Sequence, residues 1–376
     1  MASNEQELRW QLGQAYQLPY STARTSLVEE ILGHAEATGD DRLVFDIRVA
    51  MIDSANFGGE QGKGFESFAW CLAAYDRAEV RFTDVDLQTL LWRFKWIIGA
   101  MPNYPSISLE QTERALADME RRYRNAGRSL KAVYSEQRRF FRHLGDRAGA
   151  ERAFQQWLLA PRDRTSDCEI CETAAMIHHH LWMDRDNTAI ELANEALARG
   201  RKCINQPQGI RSAIMLPLVR QGRLEEARHA FVHGYRKHRN EPGVCWSIAN
   251  YLEFCARTGN EARGLEILNR HLRCLDEPDS PAGEMWFSVD AALLLRRMQT
   301  IGQRELKITR PAYGDRSEAV LTAAELRVVL ENRATALAAQ FDARNRNTSV
   351  SEQVAAELVV EPVIDRLVLV RGVSQS

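Results

Sequence analysis

The sequence predicts an all-α protein whose antiparallel helix pairs stack one on the next, the architecture called an α-solenoid. Apolar residues recur at helical spacing along most of the chain, and alternating strand patterns are nearly absent before residue 300. The 11 prolines fall mostly between these periodic segments. A turn signal recurs four times at a spacing of 37 to 39 residues, which indicates a helical repeat array.

Composition narrows the functional classes. The 376 residues include 49 basic and 51 acidic side chains, a formal charge of −2, so no overall positive field attracts nucleic acid or anionic lipid. Seven cysteines spread over this length suit a reducing compartment. The polar N-terminus has no export signal, and no window approaches the roughly 18 apolar residues of a membrane span. We therefore expect a cytoplasmic protein without a membrane partner.

Residues 1–126 are predicted to form N-terminal helical hairpins. The clearest turn is at Gly39 and Asp40, where glycine suits a left-handed helix end and aspartate suits the start of the next helix. In the helix that carries Trp92 and Trp96, apolar residues cover most of the circumference, which predicts burial on several sides. The paired helical segments are predicted at about 27–55, 60–75, 84–100 and 106–125.

Residues 127–300 are predicted to form the repeat array. Each repeat has a turn residue followed five positions later by a small residue. A pair of short helices cannot bury its apolar face alone, so stacked neighbours must supply the core. The turns are at Gly145, Asp184, Gly222 and Gly259, and the small residues are Ala150, Ala189, Ala227 and Gly264.

These positions resemble the tetratricopeptide repeat family, in which the small residue lets the second helix of each pair approach the first. The resemblance covers about residues 130–275 and is weaker over 20–126. The spacing here exceeds the family's usual period of about 34 residues. The whole chain also resembles a group of large bacterial proteins of this type. The family's other small position, midway along the first helix, holds larger residues here: Arg138, Ile177, Met215 and Leu252.

Residues 301–376 break the repeat rhythm and are predicted to cap the array. Residues 306–317 are expected to be irregular or partly extended, and 321–342 to form a long amphipathic helix. Beyond it, β-branched runs are split by Pro362, which fits either a closing helix with a short strand or an irregular end.

The stretch SDCEICETAAMIHHH combines a Cys-x-x-Cys pair with three histidines. Ser166 and Asp167 are good helix caps, which would place Cys168 and Cys171 in a first turn, where backbone amides stabilise a thiolate. In a helical hairpin the second helix ends beside the start of the first, so we expect Cys203 to lie next to them. A structural zinc ion is one interpretation, although it needs four ligands. A redox pair and simple packing of buried thiols are the alternatives.

The histidines at 178–180 cannot converge on one ion, because successive helical residues point about 100° apart. The resemblance instead implies a concave, partner-binding groove that carries arginine, tryptophan and histidine. Such side chains suit an acidic peptide or protein segment. The groove positions carried over from the family are Arg139, Arg142, His143, His178, Trp182, Arg220, Trp246, Glu253 and Arg257.

These observations predict a non-enzymatic scaffold that binds a protein or peptide, as an adaptor, regulator or assembly factor. The sequence contains no Gly-x-Ser-x-Gly elbow, no His-Glu-x-x-His helix and no phosphate loop that ends in Gly-Lys-Ser/Thr. The basic stretch at 119–143 matches no nucleic-acid motif, so nucleic acid is not favoured. The alternatives are a zinc- or thiol-dependent protein centred on Cys168, Cys171 and Cys203, and a ligand-sensing regulator.

Overall fold

A computed structural model describes residues 2–77 and 82–369, with the backbone alone for residues 2–4. The all-α prediction is confirmed: the described residues form seventeen α-helices, short 3-10 turns and one two-stranded antiparallel sheet. Within each of its two compact units, helices adjacent in sequence pack against each other. The chain divides into two compact units, Met1–Ser166 and Asp167–Ser376. The division at 126 and 300 follows the rhythm of the sequence and stays a prediction.

The first unit contains the predicted N-terminal hairpins. Gly39 has a left-handed φ of 72°, and the Asp40 carboxylate accepts hydrogen bonds from the amides of Arg42 (2.9 Å) and Leu43 (3.1 Å). The turn therefore ends one helix and starts the next, as predicted. The helices are α1 (Ala2–Gln17), α2 (Thr22–Glu36), α3 (Asp41–Gly58), α4 (Gly64–Arg77), α5 (Asp84–Ala100), α6 (Leu109–Asn125), α7 (Lys131–His143) and α8 (Arg147–Leu159).

The second unit contains three further repeat pairs and the C-terminal elements. Its core is formed largely by α11, α13 and α15, whose side chains are buried around most of each helix. The helices are α9 (Glu169–Trp182), α10 (Asp186–Ala198), α11 (Gln208–Arg220), α12 (Leu224–His238), α13 (Cys245–Arg257), α14 (Glu261–Arg270), α15 (Pro281–Thr300), α16 (Ala323–Asn345) and α17 (Ser349–Leu358); the strands are β1 (Lys307–Arg310) and β2 (Ala319–Thr322).

The structure confirms both parts of the repeat signal, the turn residue and the small residue five positions later. Each predicted turn residue has a left-handed backbone, including Asp184 (φ 59°), and aspartate is one of the few residues besides glycine that tolerate this conformation. Each small residue five positions later is buried, which lets the paired helices approach closely. The other turn residues have φ values of 74° (Gly145), 71° (Gly222) and 64° (Gly259).

The larger residues midway along the first helices fill the space between repeats. Ile177, Met215 and Leu252 are at most 1% exposed and belong to the main apolar cluster of the second unit. Arg138 occupies the equivalent place on α7 and is 3% exposed. Burial, with nearby Arg139, lowers the pKa of Arg138 to about 9.

Gly264 provides a test of the small position. A methyl group there would lie 2.5 Å from Leu294 Cδ1 and 3.0 Å from Cys255 Cβ. We expect Gly264→Ala to lower the free energy of unfolding by about 1–2 kcal/mol, because the packed core must shift to accept it. Gly33→Ala, inside α2 with open space around it, should instead stabilise by up to about 1 kcal/mol through its better helix propensity. Urea unfolding of both variants measures these opposite effects, and a loss at both positions would contradict the packing argument.

The C-terminal region caps the second unit. The predicted long helix is confirmed as α16, while β1 pairs with β2 from Lys307↔Thr322 to Arg310↔Ala319, a hairpin that the sequence indicated only as partly extended. No strand forms in residues 359–369; they are irregular. This tail crosses the turn between α13 and α14: the amide of Val363 donates to Arg257 O and that of Leu367 to Thr258 O, each at 2.9 Å.

None of the described helices combines the length and apolar character needed to cross a membrane.

Candidate functional site

Three cysteines converge at the start of the second unit. Cys168 itself, rather than Ser166 or Asp167, is the N-cap residue of α9, and the Ser166 hydroxyl accepts a hydrogen bond from the Asp163 amide at 3.0 Å. The predicted cap is therefore shifted by one residue. Cys171 follows in the first turn of the helix, so both thiols are close to its N-terminal amides.

Cys203 approaches this pair from the loop between α10 and α11, as the hairpin geometry predicted. Its amide donates to Gln206 O at 3.1 Å, which holds the loop in a tight turn. The Sγ atoms of Cys171 and Cys203 are 3.4 Å apart, and all three Sγ atoms lie within 4.8 Å of one another. Cys168 is exposed and the other two are half-buried, so solvent reaches the cluster from one side.

The environment of Cys171 favours its neutral thiol. Burial, together with hydrogen bonds to the neighbouring thiols of Cys203 and Cys168, raises the pKa of Cys171 above its ordinary value. A redox-active cysteine needs the opposite shift, because the thiolate is the nucleophile. The raised pKa of Cys171 therefore disfavours thiol redox chemistry, whereas in metal ligation the ion itself displaces the proton.

The neighbouring histidines do not join the cysteines. His179 is 1% exposed, whereas His178 and His180 are half-buried on other sides of α9. Within residues 2–77 and 82–369, the three cysteines are the single group of three or more Cys, His, Asp or Glu residues whose ligand atoms are close enough to share an ion.

The predicted groove positions of the second unit differ from one another in exposure and in the groups they contact. Arg220 is bound to Asp186 at 2.7 Å, and Trp246 is 39% exposed and contacts Trp286 with ring centroids 5.8 Å apart. His178 and Trp182 are half-buried on α9. Arg220 and Trp246 are thus the more accessible of these predicted positions.

Glu253 and Arg257 form an ion pair of 2.8 Å on α13, and the C-terminal elements lie beside it. Asp290 of α15 is 5% exposed; burial, with the negative charges of Glu253 and Glu357, raises its pKa well above the ordinary value. Burial and Glu253 likewise raise the pKa of Glu357, on α17, to about 7. Three carboxyl groups therefore surround one guanidinium group.

In the first unit, the predicted groove residues Arg139, Arg142 and His143 lie on α7. The Arg139 side chain is 48% exposed, with its Nε 3.8 Å from Glu136 Oε2. Burial and the neighbouring Arg139 lower the pKa of Arg142 to about 10. His143 is half-buried. This helix therefore concentrates positive charge, as the sequence predicted.

Sequence reasoning missed a row of aromatic side chains in the first unit. Tyr20, Phe57, Trp96 and Trp92, which we call the aromatic row, come from the turn before α2, from α3 and from α5. Successive ring centroids are 4.9, 5.1 and 6.4 Å apart. All four side chains are half-buried, so the row is partly exposed, and the expected burial of α5 on several sides does not extend to its tryptophans. Their spacing of four residues was the available signal, since it places both on one face.

Charged groups fix the aromatic row in place. Arg93 donates two hydrogen bonds to Asp53, at 2.8 and 2.7 Å, and its guanidinium group lies 5.8 Å from the Trp96 ring centroid. Arg24 is 4.2 Å from the Tyr20 ring centroid. Beside Trp92 is a shallow cleft of about 440 Å³. The residues that line it are Asp84, Val85, Gln88, Thr89, Trp92, Arg93 and Arg164.

No protein-family model matches the chain, and no curated protein matches its sequence.

Proposed function

We propose that this chain is a tetratricopeptide-like helical-repeat protein that binds another protein or peptide and has no catalytic role. The left-handed turns, each followed by a buried small residue, support the repeat type. The observation that carries the binding role is the aromatic row beside its cleft. We infer an adaptor, regulator or assembly factor from these features.

The aromatic row has the composition and rigidity of a protein-binding hot spot. Tryptophan, tyrosine and arginine contribute most to binding energy at protein interfaces. The rings contact one another, and the Arg93–Asp53 pair restrains Trp96 before any partner arrives. Little side-chain entropy therefore remains to be lost on binding. The cleft beside Trp92 is suited to an apolar or aromatic side chain of the partner.

The predicted groove offers a second surface for the same role. Its accessible members in the second unit, Arg220 and Trp246, suit an acidic segment, although Arg220 would have to exchange Asp186 for the ligand. The aromatic row needs no such exchange. We therefore place the principal contact at the row and keep the groove as the alternative.

Substitution separates the two surfaces. We expect the double variant Trp92→Ala and Trp96→Ala to weaken partner binding tenfold or more, about 1.4 kcal/mol, because two hot-spot rings are removed. Proteins retained by the immobilised full chain from an extract of its source cells are quantified by mass spectrometry, and a purified partner is then measured by calorimetry.

The matched control is Trp246→Ala, which removes an exposed tryptophan from the predicted groove. Unchanged binding in this control, with circular dichroism showing that both variants are folded, supports the aromatic row. If Trp246→Ala weakens binding and the double variant does not, the binding site is the groove. If neither variant changes the affinity for any retained protein, the proposed binding role of both surfaces is wrong.

A further inference from the structure

The three-cysteine cluster belongs to the second unit, and the proposed binding role makes no use of it. Its sulfur atoms come from two segments, the start of α9 and the loop before α11, which pack next to each other without any covalent link. Such convergence of thiols from distant positions suggests a ligand that all three share.

The distances fit a metal ion. A Zn–S bond of about 2.3 Å in a tetrahedral site corresponds to sulfur atoms about 3.8 Å apart. The Sγ atoms of Cys171 and Cys203 are 3.4 Å apart, and those of the other pairs are at most 4.8 Å apart, so all three are close to this value. Small side-chain rotations would therefore complete the geometry. A disulfide requires sulfur atoms about 2.05 Å apart, and it would leave one of the three thiols unused.

The surroundings also suit an exchangeable ion. The exposed Cys168 gives the ion a path from solvent, while the half-buried Cys171 and Cys203 are the ligands on the protein side of the site. The N-terminal amides of α9 stabilise the negative charge that three thiolates bring. Arg201, in the loop before Cys203, forms an ion pair with Glu169 in the first turn of α9, so the two segments that carry the cysteines are also joined by this contact. Thiolates select soft or borderline ions over Mg²⁺ and Ca²⁺.

We propose that Cys168, Cys171 and Cys203 bind one Zn²⁺ ion, with water or a small ligand as the fourth donor. Binding exchanges the three thiol protons for the ion, so three protons pass to solvent and no electron is transferred. The ion joins the start of α9 to the loop between α10 and α11. Three protein ligands with one open position distinguish this site from a closed four-ligand structural site.

Metal titration tests the site in the full chain. The protein is reduced, stripped with a chelator and titrated with Zn²⁺ against a chromophoric competitor. We expect one equivalent to bind, and Co²⁺ to give the intense thiolate-to-metal absorption of sulfur ligation. Cys203→Ser should weaken binding by more than about 100-fold, since losing even an outer-shell partner typically costs about 10- to 100-fold. Cys71→Ala, at a buried thiol in the first unit, should leave the affinity unchanged.

Limited proteolysis gives a second readout that does not depend on the spectrum. Arg199, Arg201 and Lys202 are exposed trypsin sites immediately before Cys203. Zn²⁺ should slow cleavage there in the wild type and not in Cys203→Ser, with other sites unaffected. If Cys203→Ser fails to fold, the Co²⁺ spectrum of the wild type still decides. The absence of sulfur-to-cobalt absorption, or equal Zn²⁺ affinity in Cys203→Ser, would overturn the proposal.

Discussion

Gly259→Ala is expected to lower the free energy of unfolding of the second unit by about 2–4 kcal/mol. Gly259 has a left-handed φ of 64°, which costs a non-glycine residue roughly 1–2 kcal/mol. An added methyl group would also overlap the carbonyl oxygen of Asp365 in the tail. To relieve this contact the tail must move, and the hydrogen bonds from Val363 and Leu367 to the turn are then lost. Urea unfolding measures the total decrease in the free energy of unfolding.

Gly222→Ala is the matched control. Its φ of 71° is nearly the same, but no atom lies within 4 Å of the added methyl group. We expect the conformational cost alone, about 1–2 kcal/mol. Hydrogen exchange at the amides of Val363 and Leu367 should accelerate in Gly259→Ala and not in Gly222→Ala. Equal losses in the two variants would mean that the tail contributes nothing at this turn.

The second large effect is a dependence of the free energy of unfolding on pH, which arises from Glu357. Its pKa in the folded protein is about 7, against an ordinary value of 4.5. The folded state binds the Glu357 carboxyl proton more tightly than the unfolded state does. The resulting stabilisation of the folded state is complete below about pH 4.5 and is lost as the pH rises through 7. The loss is about 3 kcal/mol at most, since each pKa unit corresponds to about 1.4 kcal/mol. Asp290, with its pKa raised in the same direction, adds to the slope.

Glu357→Gln isolates this contribution. The neutral amide removes the repulsion from Glu253, so we expect the variant to be about 2–3 kcal/mol more stable than the wild type at pH 8 and similar to it at pH 4.5. Denaturant unfolding at both pH values measures the difference. Ala355→Gln, at an exposed position on the same helix, adds an amide without removing a carboxyl group and should leave the pH profile unchanged. A constant offset between Glu357→Gln and the wild type at both pH values would exclude a titration effect.

Much of the fold could be predicted because its signals are local. A turn residue and a small residue five positions later determine how two consecutive helices pack, and both can be recognised in a short window. The same reasoning placed Cys203 beside Cys168 and Cys171, since the ends of a helical hairpin return to each other. Asp184 could be assigned as a turn without glycine because the spacing of the repeat required one there.

The features that were missed depend on contacts between distant segments. Helical periodicity shows that Trp92 and Trp96 are apolar and share a face, but not whether a neighbour covers that face. Nothing near Glu253 or Arg257 indicates that α15 and α17 will lie beside them. The β1–β2 hairpin likewise requires two short segments to pair across an irregular loop, and neither segment has a strong strand pattern alone.

The tail that crosses the α13–α14 turn bears on the order of events during synthesis. Thr258 and Leu367 lie far apart in the chain, yet a backbone hydrogen bond joins them. A nascent chain can form its earlier helix pairs as they emerge from the ribosome, because their contacts are local. The turn at Gly259 acquires its last hydrogen-bond donors only after residues 363–367 have been translated. The second unit therefore cannot be completed before residues 363–367 have been synthesised.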